Sequence, residues 1–194
     1  MEARSFSAFA GHRRIAEGDI RTTLLGTKSC LDAGEAESVL VFDQETGAQV
    51  DFDWRGTPDE VLSQLAEHPF FAPKTTDEPA RIGPGRPKLG VVSREVTMLP
   101  RHWEWLEAQP GGISAALRRL VDEARKSQPK TDRARQRREA THRFMWAIAG
   151  NFPGFEEASR ALFAKDAATF RTLIATWPVD IRSEIERLSE TALV

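Results

Sequence analysis

Hydrophobic and polar positions alternate most clearly between residues 48 and 54, where three apolar side chains alternate with Asp51 and Asp53. Successive side chains of a strand point to opposite faces, so this pattern predicts one buried and one acidic, solvated sheet face. A second apolar segment, residues 38–42, precedes it across a short loop that contains Gly47. The two segments together predict a β-hairpin.

Shorter patterns predict the rest of the N-terminal part. Residues 5–11 and 13–16 are candidate strands, and residues 20–31 follow Asp19 as a candidate helix. Thr57-Pro58-Asp59-Glu60 has the residues of a capping box, with a proline at the first helical position, and therefore predicts a helix start.

Helical patterns dominate the C-terminal part of the chain. We expect a long helix over residues 131–149 and three shorter helices over residues 155–165, 167–177 and 181–192. Asp166 and Asp180 directly precede the last two helices. Trp146 and Trp177 fall at positions that we interpret as core.

The central segment has a different order of elements. Residues 91–99 alternate as a strand does, and Pro100 ends that pattern while favouring the first turn of a helix over residues 100–109. Pro110-Gly111-Gly112 predicts a sharp reversal, after which residues 113–126 predict a second helix. One stripe of that helix is apolar: Ile113, Leu117, Leu120, Val121 and Ala124.

Residues 94–126 resemble the ribbon-helix-helix family of DNA-binding proteins, most specifically at Ser114-Ala-Ala-Leu-Arg-Arg-Leu-Val121. A single strand and two helices leave the strand edge open, and two copies close it by pairing their strands across a two-fold axis. The ribbon then fits a major groove about 12 Å wide. The resemblance implies a homodimer that binds DNA, with these candidate contacts: Arg86, Lys88, Arg94, Glu95, Thr97, Arg101 and Ser114.

Which face of the strand would meet DNA stays open. Alignment on the core positions puts Val96, Met98, Trp103 and Leu106 inside and leaves Glu95, Thr97 and Leu99 toward the groove. Phosphates would repel Glu95, whereas the opposite face would present Arg94 but expose Val96 and Met98.

These elements predict an α+β protein with four regions. They are an acidic α+β domain (1–71), a Pro/Gly-rich basic linker (72–90), the ribbon-helix-helix-like module (91–127) and a C-terminal helical region (128–194). The chain as a whole also resembles an uncharacterised bacterial family whose hallmarks are the segments at 85–106, 42–57 and 152–163. That resemblance implies no activity.

Charge is distributed unevenly along the chain. Residues 1–80 carry 7 Lys and Arg against 15 Asp and Glu, whereas residues 81–140 carry 14 against 7. This asymmetry indicates either an anionic partner for the middle segment or an acidic surface that folds back on a basic one.

Several candidate features have a simpler alternative. Gly85-Arg86-Pro87-Lys88 resembles an AT-hook core for the minor groove, and a solvated basic linker is its alternative. Arg133, Arg135, Arg137 and Arg138 are either phosphate contacts or, alternatively, a solvated helix face or a partner for the acidic domain. Asp51 and Asp53 are either a carboxylate pair for acid–base chemistry or a wet sheet face.

Composition excludes several classes of function. One cysteine and four scattered histidines give no disulfide and no ligand spacing, so we expect no metal and no cofactor. There is no nucleotide-binding or catalytic motif and no membrane-spanning apolar run, so we expect a non-enzymatic, cytoplasmic protein. The favoured interpretation is a DNA-binding transcriptional regulator with an unidentified effector. A structural or protein-interaction role is the alternative, and an enzyme built on the two aspartates is a third hypothesis.

Overall fold

The computed structural model describes residues 4–72 and 94–193, which belong to two compact units. One unit combines the chain up to Pro73 with the chain from Lys130 onward, and the other covers Lys74–Pro129. An antiparallel sheet with a helix comes first and helices follow, which confirms the predicted α+β class.

The sheet has four antiparallel strands in the order β2-β1-β3-β4. They are β1 (Phe6–Ala10), β2 (Arg13–Gly18), β3 (Val39–Asp43) and β4 (Gln49–Val50). The central strand β1 is buried along its whole length, because it has a neighbour on each edge and packing on both faces.

Strand β4 is shorter than the segment predicted at residues 48–54. The backbone N–H of Asp53 donates to the Gln64 side chain at 2.9 Å, and the Asp53 carbonyl accepts from the same side chain at 2.6 Å. These backbone groups therefore bond to a helical segment and not to a β-ladder. The predicted alternation still holds, because Val50 is buried while Asp51 and Asp53 are exposed.

The sheet is covered on both faces. Phe9 and Phe42 contact Phe144, with ring centroids 5.6 and 4.7 Å away, and join the core of the C-terminal helices. Phe6 lies in a second cluster with Val41 and Val50. The acidic N-terminal segment therefore shares the first of these two hydrophobic clusters with the C-terminal helices.

Two helices accompany the sheet. The first, α1 (Ile20–Asp32), begins where the Asp19 carboxylate accepts the Thr22 backbone N–H at 3.0 Å. The second, α2 (Pro58–Ser63), has the predicted capping box between Thr57 and Glu60, and a 3₁₀ turn over Gln64–Ala66 follows it.

Four helices complete this unit: α5 (Pro129–Ala149), α6 (Phe155–Ala164), α7 (Ala167–Ile174) and α8 (Val179–Ser189). Asp166 caps α7 as predicted, accepting the Thr169 backbone N–H at 3.0 Å. Asp180 does not cap α8, which begins earlier, directly after Pro178. The Asp180 carboxylate instead accepts the Arg14 backbone N–H of β2 at 2.9 Å.

The described part of the second unit, residues 94–129, has two helices, α3 (Pro100–Glu107) and α4 (Ile113–Ser127). Their positions match the two helices predicted for the central segment. None of the helices in the described ranges has the length and apolar content of a bilayer-crossing segment.

Candidate nucleic-acid interface

The candidate interface is built on the turn between α3 and α4. Pro100 occupies the first turn of α3, where its missing N–H costs nothing, and Leu99 before it is extended. Gly111 and Gly112 have φ angles of 86° and 78°. L-residues with side chains rarely adopt this left-handed region, so the paired glycines permit the reversal that leads into α4.

Residues 94–99 precede α3 outside any helix or strand. None of the described residues pairs with them in a β-ladder, and they are not a strand of the N-terminal sheet. The rest of the strand predicted at 91–99, residues 91–93, lies outside the described residues. Strand formation at 94–99 therefore stays a prediction that requires a partner.

The exposure of these residues decides little about the face that would meet DNA. Arg94, Glu95 and Thr97 are exposed, as groove-facing residues must be before binding. Val96 is also exposed, at 59%, although alignment on the core positions places it inside, and Met98 is half-buried. More than half of the apolar Val96 side chain is therefore exposed to solvent.

The start of α4 forms a shallow concave surface. It is lined by Glu107, Gly111, Gly112, Ile113 and Ser114. Ser114 is exposed there, and its carbonyl accepts from the Arg118 guanidinium at 3.1 Å. Arg118 therefore folds back along its own helix.

The helices themselves carry almost balanced charge. Residues 94–129 contain six Lys and Arg against five Asp and Glu. Of the predicted contacts, Arg94 before α3 and Arg101 in its first turn are exposed, whereas Arg86 and Lys88 lie outside the described residues. Most of the positive charge in residues 81–140 therefore belongs to the segment before α3 and to α5.

Part of the apolar stripe of α4 is exposed to solvent. Ile113 and Leu117 are half-buried, but Leu120 is 38% exposed and Val121 is 55% exposed. These two adjacent side chains therefore form a small exposed apolar surface on α4.

The arginine cluster of α5 is used largely inside its own unit. Arg137 donates to the carbonyls of Gln44 and Glu45 at 3.2 and 3.5 Å, and Arg138 donates to the Ala192 carbonyl at 2.8 Å. These bonds favour the alternative in which the basic helix pairs with the rest of the fold, although the acceptors are carbonyls and not the expected carboxylates.

The other two arginines of the cluster remain at the surface. Arg135 forms an exposed ion pair with Asp132 at 3.4 Å. Arg133 lines a cavity with other cations.

The two aspartates of the enzyme hypothesis each have a local partner. Arg55 donates to the Asp53 carboxylate at 2.9 and 3.0 Å, and this hydrogen bonding lowers the pKa of Asp53 to about 2. Asp51 accepts from the Gln49 side chain at 2.6 Å. Within residues 4–72 and 94–193, no three His, Cys, Asp or Glu side chains group as a metal site would require.

Tryptophan positions divide into buried and exposed ones. Trp177 is core, as predicted, and its indole N–H donates to the Pro153 carbonyl at 3.0 Å. The prediction that Trp146 is core is wrong, since this side chain is 66% exposed beside His142 and Phe155. In the second unit Trp103 is half-buried and Trp105 is half-exposed.

The sequence interpretation missed a buried ionic cluster around Glu184. This fully buried carboxylate accepts from Arg187 at 2.5 Å and from the Ser7 hydroxyl at 3.3 Å, and the Arg14 guanidinium lies 3.8 Å away. The signal was available, because Glu184 falls on the same helical face as Ile181, Ile185 and Leu188.

One comparison with known proteins gives a result. A family model described as an uncharacterized protein conserved in bacteria (DUF2239) matches residues 5–189. No curated protein and no solved structure matches the chain.

Proposed function

The chain belongs to the uncharacterised bacterial family DUF2239, and we propose that it binds DNA as a homodimeric, non-enzymatic transcriptional regulator. The proposal rests on residues 94–127. A segment without a ladder partner among the described residues leads through Pro100 into two helices joined by left-handed glycines. That order is the one expected of half a ribbon-helix-helix dimer.

Exposure on α4 supports the dimeric part of the proposal. Leu120 and Val121 are the side chains that a second copy of the module would cover, while the two 94–99 segments pair across the symmetry axis. Burial of apolar surface would then contribute to association as it does in a protein core.

Exposed cations support the DNA-binding part. Arg94 belongs to the proposed ribbon, Arg101 follows it in the first turn of α3, and Arg86 and Lys88 precede it along the chain. Each phosphate that a cation neutralises releases a counterion, so affinity should fall as salt rises. A cytoplasmic location is part of the same proposal, since a bacterial regulator meets its DNA there.

Fluorescence polarisation with mixed-sequence duplex DNA over a salt series tests the proposal. We expect binding that weakens steeply with salt. The double variant Arg94→Ala/Arg101→Ala should bind more weakly, with the salt slope reduced by about 1 per lost cation. The matched control Arg160→Ala/Arg171→Ala removes two exposed arginines of the other unit. Absence of binding by the unmodified protein at low salt rejects DNA binding.

Association is tested separately by sedimentation. Val121→Glu places a charge in the proposed dimer surface without disturbing a buried position, so it should give a folded monomer. Ser127→Glu adds the same charge at the end of the same helix and should leave the dimer intact. A monomeric unmodified protein contradicts the homodimer.

The near-balanced charge of residues 94–129 favours a second candidate function, a protein-interaction or structural role. In that case the exposed side chains of α4 contact another protein and the module binds no DNA. A dimer that Val121→Glu dissociates, together with unmeasurable DNA binding, would select this alternative.

A further inference from the structure

A basic cavity of about 560 Å³ is lined by residues of the first unit alone, none of which belongs to the 94–127 module. Three cations and two hydroxyls line it, with one alanine: Lys130, Thr131, Arg133, Ala134, Lys165 and Thr191. Its volume is within the range of ordinary small-molecule sites. We propose that it binds the phosphate group of a small phosphorylated molecule.

The lining comes from three separate segments of the fold. Lys130 and Arg133 are three residues apart near the start of α5, which puts them on one side of the helix. Ala134, which also lines the cavity, is buried and has only a methyl side chain. It therefore leaves the space between the cations unfilled. Lys165 comes from the end of α6 and Thr191 from the chain after α8.

Hydrogen bonds fix the end of α6 and attach the C-terminal residues to α5 before any ligand binds. Lys165 donates its backbone N–H to the Leu162 carbonyl at 3.2 Å, and Asp166 donates to the Ala161 carbonyl at 2.9 Å. The Arg138 guanidinium attaches the residue after Thr191 to α5 through the Ala192 carbonyl. A preorganised site loses less conformational freedom when it binds.

The charge of the lining is not neutralised locally. Lys130, Arg133 and Lys165 form no ion pair with any residue in the described part of the chain. Of the carboxylates next to the lining in sequence, Asp132 pairs with Arg135 and Asp166 caps α7, whereas Glu190 beside Thr191 is exposed. Three unpaired cations with two hydroxyl donors suit the several acceptor oxygens of a phosphate group.

The backbone of Lys165 supports the same assignment. Its φ of 60° is the only positive value of a non-glycine residue in residues 4–72 and 94–193. Glycine would end α6 at this position without strain, yet the chain has a lysine whose side chain lines the cavity.

An NMR titration with inorganic pyrophosphate at constant ionic strength tests the proposal. We expect saturable shifts of the backbone amides at 130–134, 165 and 191. Lys130→Gln/Arg133→Gln should weaken the affinity about tenfold or more, because each change removes a charge-assisted hydrogen bond. The control Arg160→Gln/Arg171→Gln removes two exposed charges that do not line the cavity and should leave the affinity unchanged.

Three results would overturn the proposal. The first is an absence of saturable shifts in the folded, unmodified protein, and the second is an equal loss of pyrophosphate affinity in both double variants. The third is a shift of the cavity amides by duplex DNA and not by pyrophosphate, since the cavity would then belong to a nucleic-acid surface. None of these results decides whether residues 94–127 bind DNA, because that module is tested by its own variants.

Discussion

The guanidinium of Arg138 in the middle of α5 donates a 2.8 Å hydrogen bond to the backbone carbonyl of Ala192, 54 residues later. Ala192 is fully buried, so this carbonyl has little access to water as an alternative partner. The basic composition of this segment is typical of a phosphate-binding surface, yet its Arg138 attaches the C-terminal residues to α5.

Replacement of Arg138 by alanine should lower the free energy of unfolding by about 1–3 kcal/mol, because the Ala192 carbonyl loses its charged donor. Arg135→Ala is the matched control, since its pair with Asp132 is exposed on both sides and should contribute at most about 1 kcal/mol. Urea unfolding of the three proteins measures both values. Equal destabilisation by the two variants would contradict the role given to Arg138.

Removal of the Glu184 carboxylate should be more costly. Glu184→Ala leaves Arg14 and Arg187 without their shared buried partner, and we expect a loss of about 2–3 kcal/mol. Glu186→Ala on the same helix removes an exposed carboxylate 3.9 Å from Arg182 and should change stability by less than about 0.5 kcal/mol. Urea unfolding measures the stability of both variants. A Glu184 variant as stable as the Glu186 variant would show that the buried ionic cluster contributes nothing to stability.

Glu17 should make stability depend on pH. The Gln44 side chain, which donates to its carboxylate at 2.9 Å, and then the Arg14 guanidinium lower the pKa of Glu17 below 4.5. A carboxyl group whose folded pKa lies below the unfolded value stabilises the fold above the unfolded pKa, and this contribution is lost as pH falls through the folded pKa. The stability difference between the unmodified protein and Glu17→Gln should therefore be present at neutral pH and disappear in acid.

Urea unfolding across an acid pH series measures that difference. Gln44→Ala provides the second variant, because removal of the main hydrogen bond should move the Glu17 titration up toward 4.5. An NMR titration that places the Glu17 carboxyl of the folded protein at or above 4.5 would count against this explanation.

Local signals predicted the parts of the fold that local chemistry controls. The capping box of Thr57 and Glu60, the proline that starts α3 and the glycines before α4 each act within a few residues, and each lies where expected. The strand after Gly47 was predicted too long, because its backbone bonds are decided by Gln64, a residue of a later element.

The same difference between local and distant residues decides which candidate sites could be predicted from the sequence. The α3–α4 turn could be predicted because its residues are adjacent in the chain. The basic cavity could not be, because Lys130, Lys165 and Thr191 come together only when α5, α6 and the C-terminal residues pack. The pairing of Arg138 with a carbonyl also left no sequence signal, since every residue carries the acceptor.

The two tryptophans of the helical region should differ sharply in their contribution to stability. Trp177→Ala removes a 4% exposed side chain and its bond to Pro153, so we expect a loss of about 3–5 kcal/mol. Trp146→Ala removes a 66% exposed side chain and should cost less than about 1 kcal/mol. Thermal or urea unfolding checks the pair, and a large loss for Trp146→Ala would mean that this side chain is covered in solution.

Lys165 should show opposite effects on stability and on anion binding. Lys165→Gly removes the strain of the positive φ at the end of α6. Because glycine also raises the conformational entropy of the unfolded chain, part of this effect is offset, and we expect the free energy of unfolding to rise by about 0.5–1 kcal/mol. Lys165→Ala removes the same charge but keeps the unfavourable backbone, so it should give no gain. Both variants should bind pyrophosphate more weakly than the unmodified protein, because each lacks one of the three lining cations. Urea unfolding and the NMR titration together separate the two effects, since strain depends on the backbone at residue 165 and binding depends on its ammonium group. A glycine variant that gains stability and retains full pyrophosphate affinity would leave the strained lysine without a role in the cavity.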